Sequence, residues 1–217
     1  MKVLLASPVY GQAPIQSIES IYATHRAGVV DAIKFGIGDS LVSRARNNLA
    51  DFFLKDTRWD ALFFVDSDLV FAPEHALQVI QHVEAGYPIV AGLYPVKQAA
   101  PLRWVANMIP GHQNPEKQRG LTRCKEAGTG FLCIHRRVFE ALEKDLPENS
   151  YICDISRTRK HDFFRVGVCD VRYLSEDWFF CHDARESGFE TWADTSVLIE
   201  HLGQVSFPIA EPTFSNL

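Results

Sequence analysis

No long apolar run occurs in the chain: nothing approaches the roughly 20 residues of a membrane span. The apolar stretch in Met1-Lys2-Val3-Leu4-Leu5-Ala6 is too short for the core of a secretion signal. C-x-x-C is missing too. The five cysteines, Cys124, Cys133, Cys153, Cys169 and Cys181, are odd in number and widely spaced, which argues against a disulfide framework or a zinc ribbon. Free thiols in a soluble, cytoplasmic protein are expected. There is no long basic run, and the net charge is −5, so nucleic acid is not expected as the main partner. An anionic ligand would need a local site.

What is present is apolar content for one sizeable core: 217 residues, 47% of them apolar. One domain over 1–217 is expected, with a nucleotide-binding half to about residue 95 and an acceptor-binding half from about 96. The stretch that organises the chain is Leu62-Phe63-Phe64-Val65-Asp66-Ser67-Asp68-Leu69-Val70-Phe71. Ala61 to Val65 reads as a strand of a parallel sheet, buried on both faces. Two carboxylates cannot sit unpaired inside such a strand, so they belong at its end, facing a cation or water. Open α/β sheets bind ligands at that edge, and hard oxygen ligands at this spacing suit Mg²⁺ or Mn²⁺ bridging to phosphate. The bland alternative is a surface turn with two solvated aspartates.

The rest of the chain has α/β rhythm. Lys2 to Ala6 reads as a strand, and Ser7-Pro8-Val9-Tyr10-Gly11 as the loop leaving it. Tyr10 is open to two readings, stacking on a flat ring or covering the sheet edge. A helix over 15–27 and a strand over 30–35 follow. Gly38-Asp39-Ser40 then opens a helix over 41–54, capped by Asp39 or Ser40, with Ala45, Leu49, Phe52 and Phe53 as its apolar face. Arg44 and Arg46 lie in its first turns, where arginine opposes the helix dipole; a bound anion explains them, and a solvated basic face is the alternative. Pro73 starts another helix with Ala76, Leu77, Ile80 and Val83 inward, and His75 and His82 on the surface. A strand follows from Tyr87 to Pro95, then short strands and a mobile loop around Gly111 to Gly120. Gly128-Thr129-Gly130 reads as a tight turn or a close backbone approach to a ligand, ahead of the apolar Phe131 to Ile134. Residues 151–168 hold a basic cluster including Arg157, Arg159, Lys160, His161 and Arg165. Ser175 caps a helix that begins Glu176-Asp177-Trp178. Short strands over 190–193 and 197–200 end at His201, where an imidazole could reach a metal, although a histidine taken alone is more often structural.

The order of these motifs resembles the GT-A glycosyltransferases, the nucleotide-diphospho-sugar transferase fold. The residues that carry the resemblance are Ser7-Pro8-Val9-Tyr10-Gly11, Ser43-Arg44-Ala45-Arg46-Asn47, Val65-Asp66-Ser67-Asp68, Gly128-Thr129-Gly130-Phe131, Tyr173-Leu174-Ser175-Glu176-Asp177 with Phe180-Cys181, and His201-Leu202-Gly203. The arrangement is similar to the small single-domain transferases of bacteria and their phages or large viruses. The resemblance implies a mixed, mostly parallel sheet flanked by helices, and a metal-dependent transfer of sugar from a nucleotide-diphosphate sugar to an acceptor hydroxyl. It implies that Pro8, Tyr10 and Asp39 meet the base and ribose, Arg44 and Arg46 the ribose or diphosphate, and Asp66 the ribose or sugar. Gly128 and Gly130 would lie beside the donor sugar. Asp68 and His201, with Asp66, would hold Mn²⁺ or Mg²⁺. Asp177 or else Glu176 would take the acceptor proton. The donor expected is a UDP- or GDP-sugar; the lack of an apolar tail turns the expected acceptor toward a glycan, a protein or a small molecule rather than a lipid. Two alternatives stand beside this reading. Asp66-x-Asp68-x-Val70 after an apolar strand also fits the nucleophile motif of haloacid-dehalogenase-type phosphatases, and an inactive sugar-nucleotide-binding module would share the pocket.

Overall fold

The computed structural model describes residues 1–98, 103–109 and 120–203. At its centre is β3 (Ala61–Val65), all five residues of which are buried. Alternation explains how one strand serves two cores: Leu62 and Phe64 face one cluster, and Ala61, Phe63 and Val65 the other. Each buried phenylalanine contributes roughly 2–3 kcal/mol of apolar burial. Ahead of β3 come β1 (Val3–Val9), α1 (Ile15–Arg26), β2 (Ala32–Ile37) and α2 (Val42–Lys55). After it come β4 (Leu69–Val70), α3 (Pro73–Glu84), β5 (Ile89–Leu93), β6 (Ala106–Met108), β7 (Leu121–Ala127), β8 (Phe131–His135) and α4 (Arg136–Asp145). The chain continues through β9 (Ser150–Ile152), β10 (Arg159–His161), β11 (Gly167–Cys169), β12 (Arg172–Leu174), α5 (Glu176–Glu186), β13 (Thr191–Leu198) and β14 (Glu200–His201).

Among the described residues the main sheet runs β2-β1-β3-β8-β5-β13-β7-β6. β1 pairs parallel with both β2 and β3, and β5 pairs parallel with β13, whereas β8 and β7 run against their neighbours. The sheet is therefore mixed, and mostly parallel in the sense that β8 and β7 run against the other six strands. Ile21 of α1 and Ala76, Val79, Ile80 and Val83 of α3 pack on one face. Leu49, Ala50 and Phe53 of α2, Val138 and Phe139 of α4, and Phe180 of α5 pack on the other. Among the described residues no helix is long and apolar enough to cross a membrane.

Several expectations need correction. β1 does not end at Ala6: it stays paired with β2 out to Val9 opposite Ile37, so Ser7 and Pro8 are strand residues. Parallel pairing with β2, not local turn propensity, decides where it stops. Phe52 and Leu77, expected inward, are 44% and 40% exposed, and Val79 takes the inner position on α3. His82, expected on the surface, is buried, with Nε2 2.7 Å from Asp194 Oδ2. Two expected short strands near the end are one strand, β13, whose pairing with β5 shifts register between Asp194 and Leu198. The loop expected around 111–119 lies outside the described residues.

Candidate active site

The co-directional strands carry the site at their carboxyl ends. Pro8 lies near the end of β1, Asp66 follows β3, Tyr94 follows β5, and His201 lies in β14, three residues beyond β13. A two-residue ladder decides the last placement: β14 pairs antiparallel with β4, setting His201 opposite Leu69 and so beside Asp68. A cleft of about 270 Å³ opens here, bordered by Pro8, Tyr10, Asp39, Asp66 and Asp68. Tyr10 is 69% exposed and free to meet a ring.

The two aspartates have different partners. Asp66 accepts from Arg46 Nη2 through both oxygens, at 2.8 and 3.1 Å. Arg46 also reaches Glu176 with Nε at 3.4 Å, and its guanidinium lies over the Phe64 ring at 5.6 Å. Its side chain is only 3% exposed. Burial would discharge it, but the charges of Asp66 and Glu176 more than offset that and raise its pKa. The alternative of a solvated basic face thus fails for Arg46. Arg44 stays half exposed at the rim, where it binds Asp39 at 2.7 and 2.8 Å. That contact leads in lowering the Asp39 pKa. Asp39 does not cap α2 as expected at the helix residues themselves; it accepts from the backbone of Leu41 one step earlier.

Asp68 faces basic side chains on both sides. Lys97 Nζ donates to Oδ2 at 2.5 Å, and His201 Nε2 stands 3.5 Å from Oδ1, ion-pair range rather than hydrogen-bond range. Burial pushes the Asp68 carboxyl up, yet His201 and Lys97 outweigh it and hold the pKa at about 2. His201 Nδ1 lies 2.8 Å from the Pro95 carbonyl, which can only accept, so Nδ1 carries a proton and Nε2 is the nitrogen turned toward Asp68. An imidazole nitrogen and a carboxylate oxygen facing one another are the ligand types that would hold a divalent cation. Asp68 Oδ1 is buried without a hydrogen-bond partner, as are Arg46 Nη1 and Thr129 Oγ1; native proteins leave few such atoms, and a ligand is one reason for them. No group of three or more His, Cys, Asp or Glu is arranged to hold a metal among the described residues. Two protein ligands, with the rest from water and phosphate, is the ordinary arrangement for Mg²⁺ and suits Mn²⁺.

Glu176 and Asp177 open α5 just across this edge. Glu176 is tied to Arg46. Asp177 accepts from Ser175 Oγ and from the Trp178 backbone at 2.8 Å. Ser175 therefore serves Asp177 rather than capping the helix backbone. Burial first, and the neighbouring Glu176 charge second, push the Asp177 pKa up to about 6. Gly128 and Gly130 lie under Tyr94: a Cβ on Gly130 would stand 2.6 Å from the Tyr94 hydroxyl and 2.9 Å from Asp66 Oδ2. Packing inside the protein already requires glycine there. Gly130 also binds Asp66 backbone to backbone at 2.8 Å and donates to Tyr94 Oη at 2.9 Å.

Tyr94 and Lys97 were missed in the sequence. Tyr94 is buried, its ring 5.3 Å from His201 at a near-perpendicular angle; its position just past a buried strand, like that of Asp66, was the available signal. The basic cluster of 151–168 does not join the cleft. Lys160 binds Asn48, Arg165 binds Asp183 with both arms, and Asn47 accepts from the Phe164 backbone while donating to Asp162.

No protein-family model and no curated protein matches the sequence. Solved structures do match the fold. The protein A197 from STIV is 19% identical with a TM-score of 0.59, over 94% of this chain and 86% of that one. GalNAc-T7, solved with UDP, GalNAc and Mn²⁺, is 9% identical with a TM-score of 0.63, over 93% of this chain and 44% of that one. This chain thus spans less than half the length of GalNAc-T7. At such identities the likeness speaks for architecture, and the architecture is the GT-A fold.

Proposed function

On this GT-A fold, we propose that the chain transfers a sugar from a nucleoside-diphosphate sugar, a UDP- or GDP-sugar first, to a hydroxyl of a glycan, protein or small molecule. The observation that carries the proposal is the geometry of one sheet edge, where Asp68 stands between Lys97 and His201 while Arg46 joins Asp66 to Glu176, the residue beside the half-buried Asp177. The donor half is about 1–95 and the acceptor half about 96–217. Five free thiols fit a cytoplasmic setting.

Pro8, Tyr10 and Asp39 border the cleft that would receive base and ribose. Asp68 and His201 would hold Mn²⁺ or Mg²⁺, which when bound neutralises the charge left on the diphosphate. Asp66 does not join them as a ligand in this reading, because Arg46 takes both its oxygens; the pair orients the donor sugar, with Arg46 Nη1 as a free donor. Lys97 and Arg44 add positive charge near the leaving group. Asp177 is the base. A carboxylate with a pKa near 6 is mostly ionised at neutral pH yet basic enough to accept the acceptor proton as attack proceeds. Glu176, engaged by Arg46, fixes the start of α5. The phosphatase alternative has no support here, since a nucleophilic Asp66 would need a free oxygen. An inactive binding module would leave the raised Asp177 without a use.

A thermal-shift series with UDP, GDP, CDP and dTDP, each with and without Mn²⁺, tests this. One nucleotide at about 100 times its dissociation constant should raise the melting temperature by roughly 5–10 °C, with the metal required. Asp68→Ala should abolish the shift. If no nucleotide stabilises the protein under any metal condition, the transferase reading is rejected.

A further inference from the structure

We propose that Cys169 is a peroxide-reactive thiol, served by His182 and Asp183 as a proton relay outside the nucleotide cleft. Cys169 ends β11 opposite Arg172 of β12 and is partly exposed, whereas the other four cysteines are buried. Its Sγ lies 3.3 Å from His182 Nε2, and His182 Nδ1 lies 3.1 Å from Asp183 Oδ1. Asp183 is 4% exposed, and Arg165 fixes both its oxygens at 2.7 and 2.8 Å. A carboxylate held this way accepts from Nδ1–H, so Nε2 is the acceptor for the thiol proton. The arrangement is nucleophile, base and orienting acid in contact. The other charged groups nearby are engaged or turned outward: the Arg165 guanidinium lies 3.7 Å from the Phe179 ring centre, Arg172 binds Glu126, and Asp170 sits in the hairpin turn.

The electrophile is small. Cys169 borders neither the nucleotide cleft nor the larger cleft between α2 and α4, which favours an electrophile that needs no enclosing pocket. A hydroperoxide needs none. Nε2 takes the thiol proton, and the thiolate sulfur attacks one peroxide oxygen as the O–O bond breaks. The proton on His182 goes to the leaving oxygen, giving water from hydrogen peroxide. Sulfur is oxidised by two electrons to a sulfenic acid and the peroxide is reduced by two. This inference stands apart from the transferase reading.

The test treats the full chain with hydrogen peroxide, traps sulfenic acid with dimedone, and follows the Cys169 peptide by mass spectrometry. Cys153, whose thiol is lowered to about 7 chiefly by its bonds to Ser156, is counted separately. At pH 7 the Cys169 rate in His182→Gln should fall about tenfold, and the gap should close by pH 10, where any thiol is ionised. Equal rates at pH 7, or a gap that persists at pH 10, overturn the proposal. Should the variant not fold, the wild-type rate is compared with that of Cys169 in the urea-unfolded chain at pH 7: about tenfold faster when folded is expected, and equal or slower rejects it.

Discussion

In the proposed reaction Asp177 concentrates the cost of function in one side chain. Its pKa is raised from 3.8 to about 6, so ionising it in the folded state is unfavourable by up to about 3 kcal/mol before solvent screening is discounted. The folded state binds the proton more tightly than the unfolded one, so stability is fully present below about pH 4 and is lost as pH rises through 6. Asp177→Asn keeps an oxygen for Ser175 and Trp178 but cannot ionise. The variant should melt at least about 3 °C above the wild type at pH 8, with the two melting temperatures converging at pH 4. Its transfer rate should drop at least about 100-fold, and the wild-type rate should rise with pH through an apparent pKa near 6. A variant that melts lower at pH 8 with full activity would remove Asp177 from this role. The resemblance put Asp177 ahead of Glu176, but the sequence itself held no physical ground for that order. The distinction comes from Arg46, 130 positions earlier, which engages one of them and leaves the other.

The strands place these side chains, and they tolerate little extra volume. β5 lies between β8 and β13, and a Cβ on Gly92 would stand 2.7 Å from Phe131 and 2.8 Å from Val197. Gly92→Ala should cost about 1–3 kcal/mol through overpacking, seen as a lower urea midpoint with an unchanged slope. An unchanged midpoint would mean the sheet yields there. β3 was legible from its five apolar residues, because burial on both faces leaves only one pattern. The ends of β1 and β2 were not, because parallel pairing runs past the residues that local propensity marks as turn. Neither was the buried His82, whose partner Asp194 lies 112 positions away.

Acid stability belongs to the assembled chain. Asp31, Asp39, Asp68 and Asp194 all have lowered pKa values, as their partners outweigh burial or, for Asp39, act with Arg44 foremost. Each contributes stability above its unfolded pKa near 4 that is lost as pH falls; Asp68 alone accounts for up to about 2 kcal/mol. Burial lowers the pKa of His75, His135 and His161, so their contribution declines as pH falls below 6.5. Asp177 opposes both trends between 6 and 4. The melting temperature of Asp177→Asn should therefore fall continuously from pH 7 to pH 3, most steeply below 4. A flat profile would show that these pairs do not persist in solution.

The apolar patterning and the carboxylates after β3 were enough to specify an α/β sheet with a carboxylate-bearing candidate site at its carboxyl edge, because both follow from the cost of burying charge and from side-chain alternation. Which carboxylate meets Arg46, that Lys97 and Tyr94 belong to the site, and that His201 faces Asp68 were decided by tertiary pairing alone. Those contacts join residues 20 to 133 positions apart through strand order and one two-residue ladder, and no local preference encodes them.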